Sequence, residues 1–331
     1  MAILGSATGS YEAAELEKSV ARKIIIDTDP GQDDGVAILL ALASPELEVL
    51  GVVAVAGNVP LELTKVNARK IVELSGRRDV PVFAGCARPL SRASVTAEHV
   101  HGDTGLNGVD LPDPKLPLQA QHGVDFIIDT VRAAEPKTVT LCTLGPLTDV
   151  GMALVKAPDI APRIEEVVAM GGAYFEVGNI TPAAEFNIYV DPEAAAVVLA
   201  SGIPVTLLPL DITHQVLNTK ERLDRFRALG NRCGAAVAGL LGFSESFDLG
   251  KYGWNGAPLH DPNVIAYLLD PTIYRGRHTN VSIETASPLT LGMTVVDYWH
   301  VTQRQANCTY MRDVDAPRIY DMLIERLARL P

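Results

Sequence analysis

Four aspartates within eight residues form the first group in this sequence with an evident capacity for chemistry. Asp27, Asp29, Asp33 and Asp34 lie in the stretch IIIDTDPGQDDG, directly after an apolar run. Carboxylates this close repel one another, so they stay ionised only if water solvates them or a cation compensates their charge. Capping of a helix N-terminus explains one or two of them but not Asp27 and Asp29, which precede a proline. The pattern favours an all-oxygen site for a hard cation such as Ca²⁺ or Mg²⁺.

Two further groups carry polar side chains at places where a helix or a turn can begin. His260 precedes Asp261 and a proline, so a titratable ring stands beside a carboxylate. Acid–base catalysis and simple helix capping explain that arrangement about equally well. Asn179, Glu185 and Asn187 lie in a glycine-bounded segment. Their amides and carboxylate suit a polyhydroxyl ligand, although such residues also stabilise turns of their own.

Alternating strand and helix patterns predict how these residues are positioned. Short β-branched runs predict strands, and the apolar segments between them predict helices. This alternation is typical of a parallel sheet with helices on both faces, whose ligands bind beyond the carboxyl ends of the strands. The predicted strands are 23–27, 47–56, 81–84, 138–144, 166–170 and 205–210, followed by strand-like runs near 279–284, 291–296 and 306–311. The predicted helices are 35–43, 61–74, 124–134, 147–156, 192–200 and 318–330.

The order of these elements indicates one α/β domain. We find neither an internal repeat nor an evident linker, so we expect the domain to span residues 23–331. Residues 1–22 lack an apolar core and are expected to form a flexible or helical leader. Residues 86–117 are rich in proline and glycine in their second half and predict a long loop, a feature that is usually functional or mobile.

Composition limits the classes of partner. The chain has 331 residues, of which 47% are hydrophobic and 21% charged, so disordered, collagen-like and coiled-coil proteins are excluded. Its formal charge of −12 disfavours nucleic acid and anionic membranes as partners. Four cysteines without a CxxC pair disfavour a zinc ribbon or a redox dithiol. We see no signal peptide or membrane span, and therefore expect a cytoplasmic protein.

Taken together, the motifs resemble those of the inosine–uridine nucleoside hydrolase family. The stretch IIIDTDPGQDDGVAILLAL resembles the hallmark of that family, and VAGN, HGDTGL, LGPLTD, MGGAY, GN…AEFN, DPEAA, PLHDP and GMTVVD follow in order. The resemblance implies a single doubly wound, mainly parallel α/β sheet and one Ca²⁺ per subunit in a homotetramer or homodimer. It also implies hydrolysis of the N-glycosidic bond of ribonucleosides, with a preference for pyrimidines or for both inosine and uridine.

The same resemblance assigns roles to individual residues. Asp29 is the expected base that activates water, and His260 is the expected acid for the leaving base, with Tyr252 as an alternative. Gln32, Asp149 and Asn263 depart from the usual family residues at positions that are not ligands. The implied Ca²⁺ ligands are Asp29, Asp34, Asp261 and the carbonyl of Leu144; the ribose positions are Asp33, Asn58, Asn179, Glu185, Asn187 and Asp261; the base-side positions are His101, Tyr252 and His260.

Two other functions agree with part of the pattern. Asp27 and Asp29 after an apolar strand are also found in haloacid-dehalogenase-type phosphatases, although Gly31 departs from their motif. A non-catalytic nucleoside-binding protein would keep the sugar contacts without needing both Asp29 and His260. Release of ribose from uridine or inosine would distinguish the hydrolase from both alternatives.

Overall fold

The structure, a computed structural model, describes residues 21–331 apart from the side chains of residues 244–249 and 251–252. Residues 1–20 of the expected leader lie outside the described residues, and so does the side chain of Tyr252. No helix within the described residues is long and apolar enough to span a membrane.

Nine of the strands in the described part of the chain form one large sheet. The strands are β1 (Arg22–Thr28), β2 (Leu47–Ala54), β3 (Val82–Ala84), β4 (Leu118–His122), β5 (Val139–Thr143), β6 (Ile164–Met170), β7 (Val205–Leu208), β8 (Leu217–Asn218), β9 (Ala257–Pro258), β10 (Tyr274–Thr279), β11 (Val281–Ile283), β12 (Thr294–Val296) and β13 (Cys308–Val314). The order in the sheet is β10-β13-β7-β6-β5-β1-β2-β3-β4, and the neighbours are parallel except β10 and β13. Two short antiparallel pairs, β8 with β9 and β11 with β12, lie outside it.

Helices cover both faces of this sheet. They are α1 (Gln32–Leu42), α2 (Leu61–Ser75), α3 (Glu98–His101), α4 (Gly123–Ala133), α5 (Thr148–Lys156), α6 (Phe186–Val190), α7 (Pro192–Ala200), α8 (Leu210–Thr213), α9 (Lys220–Arg227), α10 (Arg232–Tyr252), α11 (Pro262–Leu269) and α12 (Ala316–Leu327). Helices α1, α2 and α9–α12 pack on one face, whereas α4, α5 and α7 pack on the other.

The central strand β1 shows why both faces are apolar. Ile24 and Ile26 are fully buried in the layer that contains α1, and Ile25 is fully buried in the layer that contains α5. Side chains alternate between the faces of a strand, so an uninterrupted apolar run requires a helix layer on each side. The predicted mainly parallel α/β fold is thus confirmed.

Two differences from the sequence-based prediction concern a strand at the edge of the sheet and the end of β7. Strand β4 was not predicted, because its polar, half-exposed sequence LQAQH has no apolar pattern, and it forms the edge of the sheet. The strand predicted to end at Leu210 ends at Leu208, because Pro209 cannot donate a ladder hydrogen bond and the chain turns into α8. Helix α8 brings Thr213 towards the cavity described next.

Candidate active site

A cavity opens at the carboxyl edge of the sheet, where parallel folds bind their ligands. Apart from Tyr252, whose side chain is not described, the residues predicted for ribose and base contacts come together there, although they are spread over more than 200 positions of the sequence. Residues Asp29 and Asp34 are buried next to the cavity lining. The predicted residues that line the cavity are Asp33, Asn58, His101, Leu144, Asn179, Glu185, Asn187, His260 and Asp261.

Three carboxylates converge at the floor of this cavity. One oxygen each of Asp33, Asp34 and Asp261 lies within 4.8 Å of the others. The Thr28 hydroxyl donates to Asp34 Oδ1 at 2.5 Å, and the Gly31 amide donates to Asp34 Oδ2 at 2.9 Å. These donors hold Asp34 at the start of α1 while its neighbours approach it. A cluster of oxygen ligands in this form is suited to a hard divalent cation.

Asp29 lies beside this cluster in a cage of backbone. The Asn58 amide donates to Asp29 Oδ2 at 2.7 Å, and the Asn58 side chain donates to the Asp29 carbonyl at 3.1 Å. A Cβ atom at Gly57 would lie 2.0 Å from Asp29 Oδ2, and one at Gly145 would lie 2.3 Å from Asp29 Oδ1. Only glycine therefore leaves room for this carboxylate between the ends of β2 and β5. Together Asp29, Asp33, Asp34 and Asp261 are called the cavity aspartates below.

Burial and neighbouring carboxylates disfavour the ionisation of Asp29, Asp34 and Asp261. Burial raises the pKa of Asp29 well above its usual range, and the charge of Asp34 raises it further. Burial and the charge of Asp33 raise the pKa of Asp34, and burial with the charges of Asp33, Asp34 and Asp29 raises that of Asp261. Buried carboxylates in mutual contact need a compensating positive charge to be ionised together at neutral pH.

The residues predicted to bind ribose also hold one another in place. The Asn187 side chain donates to the Leu144 carbonyl at 2.6 Å and thereby fixes the strand end next to Asp29. Glu185, which is 2% exposed, accepts the amides of Asn187 at 2.8 Å and Gly172 at 3.0 Å. Asn179 Oδ1 accepts the Phe186 amide at 2.9 Å. The same three side chains thus stabilise their own segment and line the cavity.

Comparison with known proteins agrees with the geometry. The family profile described as inosine-uridine preferring nucleoside hydrolase matches residues 24–321. The chain belongs to this family. A pyrimidine-specific ribonucleoside hydrolase of Shewanella is 46% identical over 310 residues, which is 93% of this chain and 97% of the relative. An uncharacterized protein of Schizosaccharomyces pombe is 56% identical over 309 residues, covering 93% of this chain and all of the relative.

Solved structures show the same fold. The purine-preferring ribonucleoside hydrolase of Gardnerella vaginalis matches with a TM-score of 0.87 at 33% identity, over 93% of this chain and 98% of that structure. As a nucleoside hydrolase, the protein is an enzyme that cleaves N-ribosyl bonds. Family membership favours this activity over the phosphatase alternative.

His101, which is predicted to contact the base, is held by a residue that departs from the family pattern. His101 Nδ1 lies 2.6 Å from Gln32 Oε1, and Gln32 Nε2 donates to the His101 carbonyl at 2.9 Å. Burial lowers the pKa of His101, which favours the neutral ring. Gln32 thus joins the end of α3, which carries His101, to the start of α1, a role that the sequence alone did not indicate.

His260 lines the cavity with its main chain fixed on both sides. Asp33 Oδ2 accepts the His260 amide at 3.2 Å, and Asn263 Nδ2 donates to the His260 carbonyl at 2.9 Å. The Tyr274 hydroxyl lies 3.0 Å from Asn263 Oδ1 and holds that amide in turn. His260 Nδ1 lies 2.8 Å from the Thr213 hydroxyl. Sequence reasoning missed Thr213 and the structural role of Asn263, both of which depend on contacts between distant segments.

Two further carboxyl groups, those of Asp27 and Asp149, lie together in the α5 layer. They are called the buried pair below. Their exposures are 1% and 0%. Among the described residues, no N–H or O–H group donates to either oxygen of Asp27. The two carboxyl groups face each other, and a hydrogen bond between them requires a shared proton. The amide of Cys86 donates to Asp149 Oδ1 at 2.7 Å.

Proposed function

We propose that this protein hydrolyses pyrimidine ribonucleosides to ribose and the free base, with Ca²⁺ as its metal. The observation that carries the proposal is the convergence of Asp33, Asp34 and Asp261 in a cavity that also contains amide side chains and His260. Carboxylates and amides can bind sugar hydroxyl groups, and a histidine on the other side can protonate a leaving base.

The donor set fits a hard cation. The carboxylates offer only oxygen, and their mutual repulsion is relieved by positive charge. Asp29, Asp34, Asp261 and the Leu144 carbonyl would hold the ion, with Asp33 close to it. When bound, the ion supplies charge that anchors the ribose hydroxyl groups and makes a nearby water more acidic. The preference for Ca²⁺ over Mg²⁺ comes from the family resemblance.

Asp29 is the proposed general base. Its carboxylate is held by the Asn58 amide and by the walls at Gly57 and Gly145, so it is oriented before substrate binds. An oriented carboxylate accepts a proton from the attacking water as the water oxygen bonds to the ribose carbon. The remaining cavity carboxylates supply negative charge near the ring, which favours the oxocarbenium-like transition state of glycosidic cleavage.

His260 is the proposed acid for the leaving base. The base departs with the electron pair of the C–N bond, and a proton from His260 prevents it from leaving as an anion. His101 also lines the cavity and is the proposed second contact to the base. The pyrimidine preference is supported by the 46% identity with a pyrimidine-specific ribonucleoside hydrolase.

A substrate panel tests the proposal. Purified protein is incubated separately with uridine, cytidine, inosine and adenosine, and released ribose and base are both measured. We expect kcat/KM for uridine and cytidine to exceed that for the purine nucleosides by about tenfold or more. A purine preference would refute the proposed specificity and leave the hydrolase activity intact.

Two other results would refute the hydrolase activity itself. If no nucleoside releases ribose although equilibrium dialysis shows that uridine binds, the protein is a binding module. If p-nitrophenyl phosphate is hydrolysed and the nucleosides are not, the phosphatase alternative is correct.

A further inference from the structure

We propose that Thr213 is a positioning residue that orients the His260 imidazole towards the nucleobase, an inference that rests on the proposed role of His260 as the acid. The Thr213 hydroxyl lies 2.8 Å from His260 Nδ1, and Thr213 itself is wholly buried at 0% exposure. The contact joins two segments that are 47 residues apart in the sequence. It therefore depends on the tertiary fold and is absent from the local sequence pattern.

Hydrogen bonds fix the main chain of His260 on both sides. Asp33 accepts its amide at 3.2 Å, and Asn263 donates to its carbonyl at 2.9 Å. With both backbone groups fixed, the orientation of the ring is determined by its two side-chain torsions. The contact with Thr213 restrains those torsions at the Nδ1 edge of the ring.

Thr213 is a rigid partner because α8 is anchored to the sheet. Its amide donates to the Pro209 carbonyl at 3.1 Å, directly after β7. Asp211, in the same turn, accepts the Tyr310 hydroxyl at 2.7 Å and the Phe175 amide at 2.7 Å. A hydroxyl fixed in this way holds the imidazole more firmly than a mobile side chain or water would.

The hydrogen bond also determines which ring nitrogen is held by the fold. When Nδ1 is bonded to the buried Thr213 hydroxyl, the Nε2 edge of the ring is directed away from Thr213, and His260 lines the cavity. As the proposed acid, the ring transfers a proton to the departing base, which takes the electron pair of the C–N bond. The contact between Nδ1 and Thr213 keeps the ring in the same orientation during this transfer.

Substitution of Thr213 tests the assignment. Thr213→Val keeps the shape and removes the hydroxyl, and Thr213→Ser keeps the hydroxyl. The matched control is Thr140→Val, which removes another wholly buried hydroxyl near the amino-terminal end of the central strand β5, where it accepts from Arg22 Nε at 3.0 Å. Each variant is assayed with uridine and with p-nitrophenyl riboside, whose leaving group departs without a proton.

We expect Thr213→Val to lower kcat for uridine by about 10- to 100-fold, with KM nearly unchanged. Turnover of p-nitrophenyl riboside should stay within about threefold of the wild type, because that reaction does not need the acid. Thr213→Ser should restore most of the uridine activity, and Thr140→Val should affect the two substrates alike. Equal losses for both substrates in Thr213→Val would overturn the proposal, as would no loss for either.

A spectroscopic measurement separates this inference from the acid role itself. In protein labelled with ¹⁵N-histidine, the ring signals of His260 are assigned by their loss in His260→Gln. Thr213→Val should shift them, and unchanged signals would overturn the proposed contact. If His260→Ala lowers uridine and riboside turnover alike while Thr213→Val still shifts the ring signals, the acid role fails and the positioning contact stands.

Discussion

The cavity aspartates and the buried pair are two groups of buried carboxyl groups whose surroundings differ in kind. The cavity aspartates line or adjoin an opening, and three of them direct oxygen atoms to one place. The buried pair is shut inside the α5 layer, where Asp27 receives no N–H or O–H donor from the described residues. A cation can compensate the first group, whereas a proton shared between the two carboxyl groups can compensate the second. The same residue type thus serves ligand binding in one place and proton sharing in the other.

Glycine shapes both groups. Gly57 and Gly145 enclose Asp29, and a Cβ atom at Gly85 would lie 1.8 Å from Asp149 Oδ2. Carboxyl groups pressed against backbone have little rotational freedom, so their chemistry is determined by the neighbours that the fold provides. The comparison leads to four predictions, in order of decreasing effect.

The largest effect is expected for Asp29→Asn. The amide keeps an oxygen near the proposed ion but cannot accept a proton from water, so kcat for uridine should fall by about 10³-fold or more. Asp149→Asn makes the same chemical change in the buried pair and should keep activity within about threefold, since it touches no substrate. Steady-state kinetics on both variants measure the contrast. A turnover number near that of the wild type in Asp29→Asn would remove it from the mechanism.

The second-largest effect is expected when divalent cations are removed, which should affect the cavity aspartates and leave the buried pair unchanged. Dialysis against a strong chelator should abolish activity and lower the Tm by several degrees, because a ligand that binds only the folded state stabilises it. Ca²⁺ should restore both properties, and metal analysis should confirm each state. Removal of the ion should lower the Tm of Asp149→Asn by the same amount, because residue 149 is not part of the proposed cation site. Full activity in protein shown to be metal-free would refute the cation site.

Gly145→Ala should displace Asp29 without altering its charge. A methyl group would lie 2.3 Å from Asp29 Oδ1, so the carboxylate must move, and displacements of about 1 Å can lower turnover about 100-fold. Gly242→Ala is the matched control, because no described atom lies within 4 Å of its added Cβ. Kinetics and thermal unfolding should be measured on both. Equal activity in the two variants would show that the cage around Asp29 is not needed.

The smallest effect is expected in the free energy of unfolding of Asp149→Asn, measured as a function of pH. Burial raises the pKa of Asp149 above its unfolded value, so ionisation opposes folding increasingly as pH rises above about 4. Asp149→Asn removes this penalty and supplies an amide donor to Asp27. It should therefore raise the free energy of unfolding by about 1 kcal/mol or more at pH 7.5, and by less near pH 4.5.

Urea unfolding at the two pH values measures this difference. Asp113→Asn is the control, since the Asp113 side chain is fully exposed, and it should change the free energy of unfolding little at either pH value. If Asp149→Asn is less stable than the wild type at pH 7.5, the buried pair is stabilising as it stands and the comparison with the cavity aspartates fails.

The sequence predicted the strand ends well, because β-branched runs that stop at polar residues have one simple explanation. It also predicted that Asp33, Asn58 and Glu185 would meet, since the carboxyl ends of parallel strands share an edge. His260 was placed with them only by the family resemblance. Polar edge strands such as β4 have no comparable signal, because neither face is continuously apolar.

The remaining site contacts could not be predicted from local patterns. Gln32 and His101 are 69 residues apart, and no periodicity indicates their hydrogen bond. Thr213 was not identified because no helix was predicted at its position. The structure places it in the short helix α8, which directs it towards His260. Asp149 was noticed only as a departure from the family pattern. Its partner Asp27 became evident once the strand and α5 were placed side by side.

The cage around Asp29 links catalysis to the cooperativity of the whole fold. Its walls and donors come from the ends of β1, β2 and β5, which are central strands of the sheet. Local fluctuations that open a surface loop leave such strands paired, so this carboxylate is released only when the sheet itself separates. The Asn58 amide should accordingly exchange its hydrogen as slowly as the central strands do. In mild denaturant, the remaining activity should then report the fraction of molecules that are folded.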